Sequence, residues 1–267
     1  MPNTKPVVEL YKILALFAGT LLLFSVYSFM PKPFAFLDTK LKQSKIRSFF
    51  NEPGKKPEVA AVDTTAEEKA KKMKVDSTSQ KFLFIGDSML EYLRIRLNDY
   101  AKKNGHTVQT VIWYSSSSLW YGTCDTLKHF IDKYEPTYVV VSLGANELFI
   151  KDIKTNRDTM VQHIINQIGD RKYLWVGPPN WKDDTGINEL IVEKAGKGHY
   201  FESKKLKMDR KKDGAHPVQA SAFMWADSIA KFMMTGCDDK ILMVRPDTFY
   251  AKVPHTEILQ PNPPPGL

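Results

Sequence analysis

A serine hydroxyl becomes a nucleophile when a histidine takes its proton, and the histidine works when a carboxylate fixes its tautomer. Three short blocks of this 267-residue chain carry residue types suited to that chemistry. Gly86-Asp87-Ser88 offers the hydroxyl. Asp213-Gly214-Ala215-His216-Pro217 offers a carboxylate and an imidazole three residues apart, and a tight turn through Gly214 can bring both to one side. Gly144-Ala145-Asn146-Glu147 offers a side-chain amide, a donor of the kind that stabilises the oxyanion of acyl transfer. Each block also has a plainer explanation. Ser88 and Asn146 suit helix caps, and His216 can simply pack in a turn. The ordered set, more than any single block, favours the chemical reading. His106, His129, His163, His199 and His255 lack such a context and read as surface or structural.

The elements that must position these residues begin at Lys81. Apolar runs at 82–85, 107–113, 138–143 and 173–176 read as strands, with a short fifth at 199–202. The run at 138–143 is β-branched and apolar on both faces, as a buried parallel strand is. Helical patterns fall between them: from Leu90 to about Asn104, near 125–134, over 156–168, near 187–196, and from Pro217 to about Met234, with Pro217 as first residue. This alternation predicts an α/β fold, a three-layer α/β/α sandwich on a parallel, flavodoxin-like five-stranded sheet. In such sheets the site lies at the carboxyl ends of the strands, where the blocks at 86–88 and 144–147 fall.

In this order the three blocks resemble those of the SGNH (GDSL-like) hydrolase family, over about residues 81–234. The resemblance implies Ser88 as nucleophile and Asp213 and His216 as the rest of a catalytic triad. It also implies an oxyanion hole made by the Ser88 N–H, the Asn146 amide and a glycine of a further block after the second strand. Met89 stands where the family usually has Leu, and Glu147 where it has Asp. The further block departs most, reading Tyr114-Ser115-Ser116-Ser117-Ser118-Leu119-Trp120-Tyr121-Gly122. Gly122 is its glycine; Ser116, serving through its backbone N–H, is the alternative. The implied reaction is two-step acyl transfer on an ester, with no metal or organic cofactor.

The substrate expected is an acylated glycan of the envelope or extracellular space, peptidoglycan included, from which O-acetyl groups are removed. An O-acyltransferase with the same triad, a non-catalytic glycan-binding module and a lipid esterase at the membrane surface are the competing readings. Trp113, Tyr114, Trp120, Tyr121 and Trp181 cluster in the loops around the expected site, either as sugar-stacking faces or as core packing.

Charge is unevenly placed. Residues 1–75 carry 13 Lys/Arg against 7 Asp/Glu, and the rest carry 25 against 23, so nothing marks the globular part as nucleic-acid-binding. The basic excess flanks residues 10–30, a 21-residue apolar run whose one charge is Lys12. At 1.5 Å per residue it spans about 31 Å, the thickness of a bilayer core. It ends in Phe29-Met30-Pro31-Lys32-Pro33, without a small-x-small cleavage site, and reads as an uncleaved single-span anchor.

The organisation expected is therefore a tail (1–9), a transmembrane anchor (10–30), a basic juxtamembrane segment and linker (31–79), a hydrolase domain (80–236) and a C-terminal extension (237–267). Residues 51–79 lack aromatics and suit a tether. In the extension, Lys240–Val244 is strand-like. An envelope substrate places the catalytic domain on the extracytoplasmic side of the cytoplasmic membrane, although counting positive charges alone favours the opposite orientation. Cys124 and Cys237 fit no metal spacing and read as free thiols or one disulfide.

Overall fold

The computed structural model describes residues 11–12, 14–22, 35–36, 39–40, 75–247, 249 and 256–266. The chain divides into two units, Met1–Ala70 and Lys71–Leu267. In the first, residues 11–12 and 14–22 are helical, and Ala35–Phe36 pairs antiparallel with Thr39–Lys40. The rest of the expected 10–30 span, and nearly all of the 31–79 segment, lies outside the described residues. Among the described residues, no helix is long and apolar enough to cross a membrane.

The second unit is built on a parallel sheet. Its strands are β1 (Lys81–Gly86), β2 (Thr107–Trp113), β3 (Tyr138–Ser142), β4 (Lys172–Val176), β5 (Tyr200–Phe201) and β6 (Thr256–Leu259). Their spatial order is β5-β4-β3-β1-β2-β6, and every neighbouring pair is parallel. The first five strands follow the flavodoxin-like order, whose switch point falls between β1 and β3. The sheet thus has six strands, not the expected five. The addition is Thr256–Leu259 beside β2, not the apolar run at 240–244. Ile241 and Met243 are instead buried in the core, and Ile241 makes only an isolated bridge to Asp76. The sequence of β6 hides it: Thr-Glu-Ile-Leu does not alternate, and its side chains are half-buried to exposed at an edge.

Helices α1 (Leu90–Lys103) and α6 (Gln219–Thr235) cover one face. Helices α2 (Ser118–Gly122), α3 (Thr126–Tyr134), α4 (Ile153–Ile168) and α5 (Ile187–Ala195) cover the other. The pleat explains why the strands read as unbroken apolar runs. Phe82 and Phe84 point into the first layer, and Leu83 and Ile85 into the second. Cys237 lies in the first layer and Cys124 packs against the second, so the sheet separates two free thiols.

Two boundaries differ from the sequence reading. Helix α2 lies inside the serine-rich loop, where Ser117 Oγ accepts from Trp120 N at 3.4 Å. Helix α6 begins at Gln219 rather than Pro217. Pro217 is held extended in a bridge with Arg210, and Val218 N donates to Asp209 O at 3.0 Å, so tertiary pairing delays the helix.

Candidate active site

Strand β1 delivers Ser88 through a tight turn. Gly86 pairs with Ser142 of β3, and a Cβ on Gly86 would lie 2.1 Å from the Ser142 carbonyl oxygen, so only glycine allows this approach. The turn is closed by Leu90 N donating to Asp87 O at 3.2 Å and Glu91 N to Ser88 O at 3.1 Å. Ser88 stands half-buried on it, just before α1. Its Oγ is 2.8 Å from His216 Nε2.

His216 sits on a strapped loop. Lys211 N donates to His216 O at 2.8 Å, and Gly214 N to Lys211 O at 3.0 Å. The Arg210 guanidinium donates to Ala215 O at 2.5 Å and to Pro179 O at 2.8 Å, tying this loop to the one after β4. His216 Nδ1 is 2.8 Å from Asp213 Oδ2, while Asp213 Oδ1 accepts from the Ala215 and His216 amides at 2.8 and 3.0 Å. Those amides, with the imidazole, hold the Asp213 carboxyl down at about 2. A carboxylate only accepts, so Nδ1 carries the proton and Nε2 presents a lone pair to the Ser88 hydroxyl. The arrangement is that of a hydroxyl primed for deprotonation.

Asn146 follows β3 on a single 3₁₀ turn (Ala145–Glu147). Its Nδ2 donates to Ser116 O at 2.7 Å, which uses one of two amide hydrogens and fixes the amide plane. Ser116 belongs to the turn after β2, where Ser115 takes a left-handed φ of 61° and Ser116 N donates to Trp113 O at 3.2 Å. The structure therefore brings Ser116, not Gly122, to Asn146. Gly122 lies within α2, its N–H inside that helix's own ladder. A Cβ there would meet Met160 Cβ at 2.3 Å, so the glycine serves the crossing of α2 and α4.

Beneath this surface lie two carboxyls whose burial no local pattern of residues foretold. Asp87 is buried, accepts from Met89 N at 2.9 Å through Oδ1, and leaves Oδ2 without a partner among the described residues. Burial, with the nearby Glu147 carboxyl, raises Asp87 to about 8. Glu147 is also fully buried and raised by burial; it accepts from the Ser118 amide and, at 2.7 Å, from the Ser118 hydroxyl, anchoring the turn that holds Ser116. Asp87 keeps its proton in the folded chain to about pH 8 but releases it near 3.8 when unfolded. Between those values the folded state binds more protons, so raising the pH favours unfolding, by at most about 1.4 kcal/mol per pH unit. Thermal melts across this window are expected to show stability falling as pH rises, and Asp87→Asn to flatten that fall. An unchanged slope in the variant would assign the proton to another group.

The aromatic residues divide. Trp113 and Tyr121 are buried in the core layer, their ring centroids 5.2 Å apart. Tyr114, Trp120 and Trp181 remain partly exposed, and Trp181 Nε1 donates to Ala145 O at 3.0 Å, fixing the loop after β4 beside Asn146. Next to Ser88 and His216, the residues Met89, Tyr92, Lys211 and Ala222 enclose a pocket of about 10 Å³.

The remaining histidines are away from this constellation. His106 bridges Gln80 N and Leu242 O, and His199 stacks on Tyr173 at 4.4 Å. His129 and His163 are outside these networks on α3 and α4, and His255 lies outside the described residues. Among the described residues no group of His, Cys, Asp and Glu could hold a metal ion.

No protein-family model and no curated protein matches the chain. Similar solved structures include the psychrotrophic esterase EstA from Pseudoalteromonas sp., at 16% identity over 57% of this chain and 98% of that one, with a TM-score of 0.43. A Clostridium thermocellum family 3 carbohydrate esterase is similar at 16% identity over 59% of this chain and 96% of that one, with a TM-score of 0.45. The lipase/acylhydrolase from Enterococcus faecalis is similar at 18% identity over 59% and 96%, with a TM-score of 0.44. At such identities and scores, a functional reading rests on this chain's own geometry.

Proposed function

We propose that this chain is a membrane-tethered serine esterase of the SGNH type that removes acetyl groups from a glycan of the cell envelope or extracellular space. The observation that carries the esterase reading is the unbroken hydrogen-bonded series Ser88–His216–Asp213, with both links at 2.8 Å. His216 takes the Ser88 proton as Oγ attacks the ester carbonyl. The Ser88 N–H and the free hydrogen of the Asn146 amide receive the oxyanion. His216 then protonates the leaving alcohol, and a water activated by the same imidazole releases the acid and frees Ser88.

Acetyl is favoured by size. The pocket beside Ser88 holds about 10 Å³, room for roughly one water-sized group and hence for a methyl. One wall of it is Met89, which is 6% exposed and part of the core, so that side does not widen freely for a longer acyl chain. The tether is supported by the helical residues Leu14, Leu16, Phe17, Leu21 and Leu22, which turn large apolar side chains outward at 52–73% exposure. An envelope glycan as substrate implies a catalytic domain on the extracytoplasmic side.

The test is a series of p-nitrophenyl esters given to the full-length protein, with acetate release from acetylated xylan and peptidoglycan followed in parallel. Going from acetate to butyrate is expected to lower kcat/KM by about tenfold or more, since each methylene that does not fit costs about 1–3 kcal/mol. Equal or better turnover of butyrate would sink the acetyl assignment. Acetyl groups reaching an added sugar hydroxyl faster than water would make the protein a transferase instead.

A further inference from the structure

The sequence leading into the His216 loop is strongly basic. From Lys204 to Lys212 it carries Lys204, Lys205, Lys207, Arg210, Lys211 and Lys212 against the single acid Asp209. Some of this charge is answered locally. Lys204 meets Asp184 at 3.2 Å, Lys205 meets Glu202 at 2.5 Å, and Arg210 is consumed by backbone carbonyls. Lys207 and Lys212 are exposed and have no carboxylate partner among the described residues.

Both ends of this segment reach a concave surface. At one end, Lys211 forms part of the pocket holding Ser88, with Nζ 4.3 Å from the Tyr92 ring centroid and 3.4 Å from Glu91. Glu91 is also felt electrostatically by Arg94, a half-buried guanidinium whose Nε has no partner among the described residues. At the other end, Lys204 borders an open groove of about 440 Å³ shared with Trp181 and Lys182. The Lys182 ammonium stands 4.9 Å from the Trp181 ring centroid, with no carboxylate partner among the described residues. Arg210 joins the two, since its guanidinium bonds Ala215 of the His216 loop and Pro179 and Asn180 of the Trp181 loop.

We infer that this strip is a subsite for a polyanionic glycan, a sugar polymer bearing carboxylates, which runs from the Trp181 groove to the pocket of Ser88. The inference rests on the esterase reading for its purpose and names the substrate class that the esterase takes. Trp181, fixed by its hydrogen bond to Ala145 O and with Lys182 over its ring, offers an aromatic wall for a sugar, and Lys182, Lys207 and Lys212 offer ammonium groups to carboxylates along the chain, with Lys211, paired to Glu91, at the pocket end. Six acids lie along the same path. Asp184 is held by Lys204, Glu202 by Lys205, Glu91 by Lys211, and Asp213 by His216 and two amides; Asp183 in the groove and exposed Asp209 remain. The unanswered cations Lys182, Lys207 and Lys212 outnumber these two. This local bias coexists with a globular part close to neutral overall, so it reflects placement rather than net charge.

Binding tests this independently of turnover. Full-length Ser88→Ala protein would be titrated calorimetrically with oligogalacturonate and with the same oligomer after its carboxylates are reduced to alcohols. The carboxylated oligomer is expected to bind about tenfold more tightly at low salt, and the preference to shrink as salt screens the ammonium groups. In the same background, Lys182→Gln/Lys207→Gln/Lys212→Gln, all at the surface, is expected to remove most of that preference. Equal affinity for the two oligomers, or a preference that survives the triple substitution, overturns the subsite. Because neither oligomer needs to be cleaved, failure of the esterase assay and failure of this inference are separate results.

Discussion

Ser88→Ala is expected to lower kcat for ester hydrolysis by roughly a million-fold, leaving the fold intact. The alanine removes only an oxygen that is half-buried beside His216, so no core contact is lost and thermal stability should change little. His216→Ala should cost about as much, and the double variant little more, because the two groups act as one unit. Asp213→Asn is expected to lose roughly 10⁴-fold. An asparagine has one acceptor oxygen and cannot accept both from the Ala215 and His216 amides and from Nδ1–H; with the oxygen on those amides its NH2 faces Nδ1, and the imidazole takes the tautomer that points its proton toward Ser88. Since the Asp213 carboxyl is held at about 2, it remains ionised through any ordinary assay, and the pH–rate profile should carry no limb from it. Steady-state kinetics with p-nitrophenyl acetate, with melting temperatures as a control, would decide. A Ser88→Ala protein as active as wild type would end the serine-esterase reading.

Asn146→Ala is expected to lower kcat by about 10²–10³, with a small change in KM. The reasoning is geometric. The amide already gives one hydrogen to Ser116 O at 2.7 Å, which holds its plane, and the other has no partner until charge develops on the substrate. Such a donor acts in the transition state more than in the ground state, so its loss appears in kcat. Asn146→Asp should be worse, because a carboxylate would face both the Ser116 carbonyl and the oxyanion. If instead Asn146→Ala lowers the melting temperature and leaves kcat alone, the residue is a structural cap and the oxyanion is held elsewhere.

Much of the site could be read from residue order. Ser88 and Asn146 were identifiable because each stands where an apolar strand stops at or near a glycine, and Asp213 and His216 because a carboxylate and an imidazole stand three apart across Gly214. The strands β1 to β5 were equally legible, since a sheet covered on both faces needs apolar side chains at every position. Long helices were legible from their periodicity. What the sequence did not reveal depends on contacts between distant segments. Pro217 looks like a helix start, yet pairing with Arg210 keeps it extended. Gly122 looks like the free glycine of the block after the second strand, yet Met160 of α4 occupies the space its side chain would need.

The sequence by itself determined the order of the first five strands and of the long helices, and it marked Ser88, Asp213 and His216 as residue types suited to one reaction, because both follow from local patterns of apolarity and side-chain type. Only the tertiary structure decided that Ser116 rather than Gly122 meets Asn146. The same holds for the sixth strand at Thr256–Leu259, for the two thiols lying across the sheet from each other, and for the burial of the Asp87 and Glu147 carboxyls beneath the site. Each of those depends on packing between segments far apart in the chain, and the free energy that selects it comes from buried contacts that no stretch of residues contains alone.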